Sequence, residues 1–156
     1  MVSGSQALLE VRGGRPPADR LTARQLLVRK HEQVTRHRQH PEHKVRERHA
    51  DQTLVIKIDV HVVANSSDVI EVDEDRHPNR YYFPRSDVKM AGFSRTETTS
   101  ECPFKGTAHY YSITVDGTRL QDAAWTYEEP YDEHQALKER IAFYDDKFAA
   151  IEIISA

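Results

Sequence analysis

Ala108-His109-Tyr110-Tyr111-Ser112-Ile113-Thr114-Val115-Asp116-Gly117-Thr118-Arg119-Leu120-Gln121-Asp122-Ala123-Ala124-Trp125-Thr126-Tyr127 is the stretch that decides the fold. Two runs rich in β-branched and aromatic residues flank Asp116-Gly117, a dipeptide that readily takes the left-handed angles of a two-residue turn, and together they predict a β-hairpin. The turn sets a register in which Val115 faces Thr118, Ile113 faces Leu120 and Tyr111 faces Asp122. On the opposite face Tyr110 meets Ala123, Ala108 meets Trp125 and Gly106 meets Tyr127. One face is then aliphatic. The other sets large rings beside small residues, which is how the wall of a pocket looks in sequence; a bulge in the hairpin would exchange the faces.

Outward from the hairpin the dominant period stays two. Thr53 to Ile58, Val60 to Ala64 and Val69 to Val72 read as a strand meander, with Asn65-Ser66-Ser67 as a turn. Arg80 to Phe83 is an aromatic strand stopped by Pro84, after which Ser86 can cap a short turn through Asp87, Val88 and Met90. Polar, Thr-rich Phe93 to Ser100 suits an edge strand. Asp132 can cap a short helix through Ala136, Leu137 and Arg140, and two strands, Ile141 to Tyr144 and Ala149 to Ile154, close the chain around an Asp145-Asp146-Lys147 turn. The expected fold is a mostly β, compact antiparallel domain over residues 40–156 with one or two short helices.

The N-terminal third differs. Residues 1–50 hold 11 Lys/Arg against 5 Asp/Glu and residues 51–156 hold 11 against 20, so a net charge of −3 hides a basic segment and an acidic domain. Residues 1–18, rich in Gly, Ser and Pro, read as a disordered leader. Residues 19–39 read as a basic helical extension, in which Leu21, Leu27, Val28 and Val34 leave a narrow apolar face among arginines until Pro41 ends it. Such a helix is a solvated strut docked on the acidic domain or a partner-docking element. It lacks the interleaved aromatics of single-strand binders, which disfavours nucleic acid. No run approaches the ~20 apolar residues of a membrane span and no apolar secretion signal stands at the start, so a cytoplasmic location is expected and the Asn65-Ser66-Ser67 glycosylation pattern should go unused. The low mean hydropathy of −0.73 fits one core with a solvated extension.

A single cysteine, Cys102, excludes an internal disulfide and a zinc site of paired cysteines. His37, His40 and His43 recur every three residues, flanked by His31 and His49, but Pro41 breaks their alignment and no carboxylate completes a tetrahedral set. No metal and no cofactor is expected.

Two groups carry chemistry. Cys102, with Lys105 three residues on across a Pro-containing turn and His109 as the nearest base, is a candidate nucleophile; a cysteine packed for its size is the plainer alternative. Lys105 beside Gly106 also suits anchoring of a carboxylate or phosphate. Tyr82, Tyr110, Trp125, Tyr127 and Phe143 form either ordinary core or the walls of a site for a small flat ligand, to which Arg85 adds a charge unless it pairs with Asp87. Cys102 and Lys105 are the candidate catalytic residues, and Tyr82, Arg85, Tyr110, Trp125, Tyr127 and Phe143 the candidate substrate-binding residues. The expected partner is a small molecule, with a homodimer left open, and the expected function is a small-molecule-binding domain with an aromatic pocket, read first as a metal-independent enzyme of unknown specificity. The alternative is a non-catalytic ligand-recognition or protein-interaction module.

Several runs together resemble one family: His40-Pro41-Glu42-His43, Tyr81-Tyr82-Phe83-Pro84-Arg85-Ser86-Asp87-Val88, Cys102-Pro103-Phe104-Lys105-Gly106-Thr107-Ala108-His109-Tyr110-Tyr111-Ser112, Ala124-Trp125-Thr126-Tyr127-Glu128-Glu129-Pro130 and Ile141-Ala142-Phe143-Tyr144. In order and spacing they resemble domain of unknown function 427, sometimes labelled nucleotidyltransferase-like, from His40 to about Ile154. The resemblance implies a β-tent-like fold, as in the drug-binding domain of cereblon and in methionine sulfoxide reductase B, without the zinc those folds carry on two cysteine pairs. Leu137-Lys138-Glu139-Arg140 departs from the family's apolar, Gly-containing stretch, which implies a more exposed helix after Pro130. Nothing resembles a Gly-rich phosphate loop or a spaced pair of metal-binding carboxylates.

Overall fold

Alternation along β8 (Gly106–Val115) and β9 (Thr118–Tyr127) sends successive side chains to opposite sides, and both sides are covered in the half away from the turn, as at Ala123–Tyr127. A computed structural model describes residues 33–37 and 40–156 of the chain. In it β8 and β9 form the middle of a four-stranded antiparallel sheet in the order β10-β9-β8-β7, with β7 spanning Phe93–Cys102 and β10 spanning Ile141–Phe143. One face packs on a three-stranded sheet ordered β11-β3-β4, built from β3 (Leu54–Ile58), β4 (His61–Ser66) and β11 (Ile151–Ser155). The other packs on a sheet ordered β1-β2-β5-β6, built from β1 (Gln33–His37), β2 (His40–His49), β5 (Ile70–Glu74) and β6 (Arg80–Tyr82). The domain is mostly β, as its sequence predicts.

The two faces make two cores. Toward β3, β4 and β11, Ile56, Ile58, Val69, Phe83, Tyr111, Ile113, Ile141 and Phe143 close together. Toward β2, β5 and β6, Val45, Ile70, Val72, Tyr82, Ala108, Trp125, Tyr127 and Ala142 do the same. In β10 the division runs within three residues, Ile141 and Phe143 to the first core and Ala142 to the second.

The hairpin turn is where the sequence puts it. Asp116 and Gly117 have φ of 51° and 79°, and Val115 faces Thr118 and Ile113 faces Leu120. Past Ile113 the register departs from expectation: Tyr111 faces Ala124 rather than Asp122, Tyr110 faces Trp125 rather than Ala123, and Ala108 faces Tyr127 rather than Trp125. Two extra β9 residues are taken up in a bulge around Asp122, whose φ is 51°. The carboxylate of Asp122 accepts from Thr96 and Thr98, each at 2.7 Å, and its backbone N–H donates to the Ser112 hydroxyl at 3.0 Å. An insertion of two preserves parity, so the rings keep the face the sequence assigns them while their partners change.

Other departures are local. The proposed meander is a β3–β4 hairpin only, because β5 leaves it to pair with β2 and β6. Within the expected basic helix, Gln33–His37 is instead strand, paired antiparallel with β2 from Gln33 opposite Glu47 to Arg36 opposite Lys44. The β-branched pair Val34-Thr35 suits that edge position better than a helix end. The leader and the remainder of the basic extension lie outside the described residues. The short helices are 3-10 turns at Arg85–Asp87, Met90–Gly92 and Asp132–Leu137. The last exposes Asp132, Gln135 and Ala136 and buries Leu137 and His134, and His134 Nδ1 hydrogen-bonds the buried carboxylate of Glu47 on β2.

Candidate functional site

The loop Pro103-Phe104-Lys105 joins β7 to β8, with Cys102 paired to Gly106 across its mouth. Gly106 takes a φ of 116°, an angle that side-chain-bearing residues avoid, and this lets the chain reverse tightly. The reversal turns Lys105 inward. Its amine lies 3.9 Å from Cys102 Sγ and is paired with the Glu74 carboxylate, while the residue as a whole is only 4% exposed. A buried ammonium needs such a partner, since an unpaired charge there would be expelled or neutralised.

Glu74 reaches this place by strand periodicity. On β5 the inward positions are Ile70, Val72 and Glu74, so a carboxylate occupies the third core-facing position. Its second oxygen accepts from His43 Nε2 at 2.9 Å, and His77 Nε2 lies 3.8 Å away. Burial pushes the Glu74 carboxyl up, but the Lys105 ammonium beside it, with help from His43 and His77, outweighs that and holds it below the usual carboxylate range. His43 stacks flat on Phe104 with centroids 4.1 Å apart, which ties the loop to β2.

Above this pair opens a recess of about 330 Å³. Tyr82, Tyr110, Trp125, Tyr127 and Tyr144 wall it, and Cys102, Lys105 and Glu74 line it. Trp125 Nε1 donates to the Tyr82 hydroxyl at 3.1 Å, fixing both rings edge to face. Tyr110 is held by Ser100 at 2.8 Å and Tyr144 at 3.3 Å. The Arg80 guanidinium lies over Trp125 and Tyr144, 5.2 and 5.1 Å from their centroids, and is clamped by Asp146 at 2.8 Å. Tyr127 differs from its neighbours, for its hydroxyl has no hydrogen-bond partner among the described residues. Burial, and then the nearby Tyr82 and Cys102, push the Tyr127 phenol far up, so it stays protonated and can only donate or accept as a neutral group. Burial does the same to Tyr82 and Tyr144.

Of the eight residues selected from the sequence, six meet here: Cys102, Lys105, Tyr82, Tyr110, Trp125 and Tyr127. Phe143 and Arg85 do not. Phe143 faces the opposite core against Phe83 and Phe93, because alternation along β10 directs it away from Ala142 and Tyr144. Arg85 follows Pro84 to that same side, where it donates to the Tyr111 hydroxyl at 2.7 Å. Sequence reasoning missed Glu74, Arg80 and Tyr144. Tyr144 was in reach, two residues from Ala142 on the recess face, and Glu74 carried a signal as an acid at a core position of the pattern Ile70-x-Val72-x-Glu74. His109, considered as a base for Cys102, turns instead to Arg95 at 2.8 Å.

A larger open cleft of about 800 Å³ lies between the ends of β2 and β11, next to Arg48, Glu71, Tyr81 and Ile154. It holds no thiol and no buried amine, and Arg48 and Glu71 neutralise one another at 3.0 Å. The smaller recess is therefore the better candidate. Among the described residues no group of three His, Cys, Asp or Glu is placed to hold a metal ion, and no helix is long and apolar enough to cross a membrane. His43 is committed to Glu74 and His49 lies 3.1 Å from Asp68.

Three antiparallel sheets with an aromatic recess over a buried lysine–glutamate pair define the class: a β-sheet domain with an aromatic concavity. The chain belongs to the family described as Domain of unknown function (DUF427), which matches residues 46–153. No curated protein matches it.

Proposed function

We propose that this domain binds a small, flat organic molecule in the aromatic recess and transforms it with side-chain chemistry from Cys102 and Lys105, without a metal. The observation that carries the reading is the conjunction, within one 330 Å³ space, of four tyrosines, the sole tryptophan, a thiol and a buried amine. That volume suits a compact ligand, with rings supplying stacking area and hydroxyls supplying orientation. One observation favours a second reading, a non-catalytic recognition module: the Lys105 ammonium is already neutralised by Glu74, as in a purely structural pair.

Trp125 is the natural reporter. Its fluorescence and the melting temperature of the protein, followed across nucleotides, sugars, aromatic acids and cyclic amides, should show a ligand that does both: shifts the emission and raises Tm. The effect should vanish in Trp125→Phe for emission but persist for Tm. Silence throughout the panel would return the aromatic group to the status of core packing. A ligand that binds but is recovered unchanged after long incubation would favour the recognition module.

A further inference from the structure

Resting on the reading of the recess as a small-molecule site, we infer that Cys102 is the nucleophile of an acyl transfer, taking the acyl group of a small carboxylic amide or ester and yielding it to water. A thiol that does this needs a cation beside the sulfur, a proton carrier within reach and a donor for the oxyanion. All three are placed. Lys105 Nζ is 3.9 Å from Sγ and supplies the first two. Glu74 holds the amine on its other side and His43 holds Glu74, so the chain Cys102, Lys105, Glu74, His43 runs from the recess floor toward solvent. The third is Tyr127, a residue 6% exposed that lines the recess and whose hydroxyl has no protein partner among the described residues, in contrast to Tyr82 and Tyr110, whose hydroxyls are engaged. A protonated, unpartnered donor facing the recess beside a thiol is what a carbonyl oxygen gaining negative charge requires.

The steps balance without any other reagent than water. The Cys102 sulfur, as thiolate against the Lys105 ammonium, attacks the carbonyl carbon, and the electron pair moves to the oxygen held by Tyr127. When the tetrahedral centre collapses, the bond to the amine or alcohol breaks and the leaving group takes a proton from Lys105. A thioester and a neutral lysine remain. Water then attacks the thioester and gives its proton to Lys105, the carbon–sulfur bond breaks, and carboxylic acid leaves with the thiolate restored. Lys105 acts as base and acid, with Glu74 as the positioning residue that recovers its ion pair at the end of each cycle.

Para-nitrophenyl acetate is the probe. The full chain should release about one equivalent of nitrophenolate in a burst, gain one acetyl group mapped to Cys102, and then turn over steadily as the thioester hydrolyses. Cys102→Ala should abolish burst, acetyl mass and turnover. Tyr127→Phe, which keeps the ring, should slow acetylation on the order of 100-fold while leaving the Tm nearly unchanged. That second effect separates a built oxyanion site from a merely reactive surface thiol. Acetyl on lysines with Cys102→Ala unchanged in rate, a burst without turnover, or full speed in Tyr127→Phe would each overturn the inference. The ligand panel read by Trp125 keeps this failure apart from that of the binding reading: a ligand that shifts Trp125 in both wild type and Cys102→Ala, with no acetyl on Cys102, leaves the recess and removes the acyl transfer.

Discussion

The two faces of the central sheet are built from alternate residues of the same strands, yet they differ in kind. The face toward β3 and β11 is filled by Ile56, Ile58, Phe83, Ile113 and Phe143, with rings crossing edge to face and no ion pair among them. The face toward β2 and β5 admits Lys105, Glu74, His134 and Glu47 among its tyrosines, and a recess opens there. A sheet with two covered faces needs only one of them to be an efficient core. The dry face can carry most of the burial energy, which leaves the other free to hold charges that cost desolvation.

Phe83→Ala should separate the faces most sharply. It deletes a fully buried ring from the dry core and should cost about 3–5 kcal/mol in denaturant unfolding, with the response of Trp125 to ligand unchanged in the folded fraction. Lys105→Met, on the other face, should cost about 3 kcal/mol because it strands the Glu74 carboxylate. The double variant Lys105→Met, Glu74→Leu should recover most of that loss. If the double variant is no better than the single, the pair contributes net stability and the contrast between the faces is weaker than the geometry implies.

Titration sharpens the same contrast. Tyr82 and Tyr127 are held protonated in the fold, so their contribution is fully present below the ordinary tyrosine range and is lost as pH rises above about 10, where only the unfolded chain ionises. Each should steepen the loss by about 1.4 kcal/mol per pH unit, and Tyr82→Phe should remove one such increment. Glu74 runs the other way. Its carboxyl is lowered, so its contribution is present above the ordinary glutamate pKa of 4.5 and fades as pH falls through the lower folded value. Both arms belong to the recess face, and Lys105→Met should flatten the acid arm alone.

What the sequence revealed of this arrangement follows from how local each signal was. The Asp116-Gly117 turn, the face of Trp125 and Tyr127, and the pairing of Cys102 with Lys105 all depend on neighbours within a few residues, and each is where the pattern puts it. Glu74 lies 31 residues from Lys105 and 31 from His43, so no spacing rule could join them. Phe143 was misplaced because a three-residue strand carries too little pattern to tell one face from the other. The bulge was invisible for another reason: it depends on Thr96, Thr98 and Ser112, which come from β7 and β8 to hold a β9 residue. Asp122→Ala should show how firmly. It loses two charge-assisted bonds and keeps a left-handed φ, costing about 2 kcal/mol, and it should shift Trp125 emission because the register beyond the bulge positions that ring.

The smallest effect is the most discriminating for the dry face. Thr126 stands between Trp125 and Tyr127 but points away from the recess, and its hydroxyl oxygen is the one fully buried side-chain N or O atom that finds no partner among the described residues. An unpaired hydroxyl in an apolar setting costs more than the methyl that would replace it. Thr126→Val should therefore be neutral or stabilising by up to about 1 kcal/mol, with no change in Trp125 emission. A clear loss of stability would mean that the hydroxyl is satisfied by water, and that this face is wet at one point directly behind the recess wall.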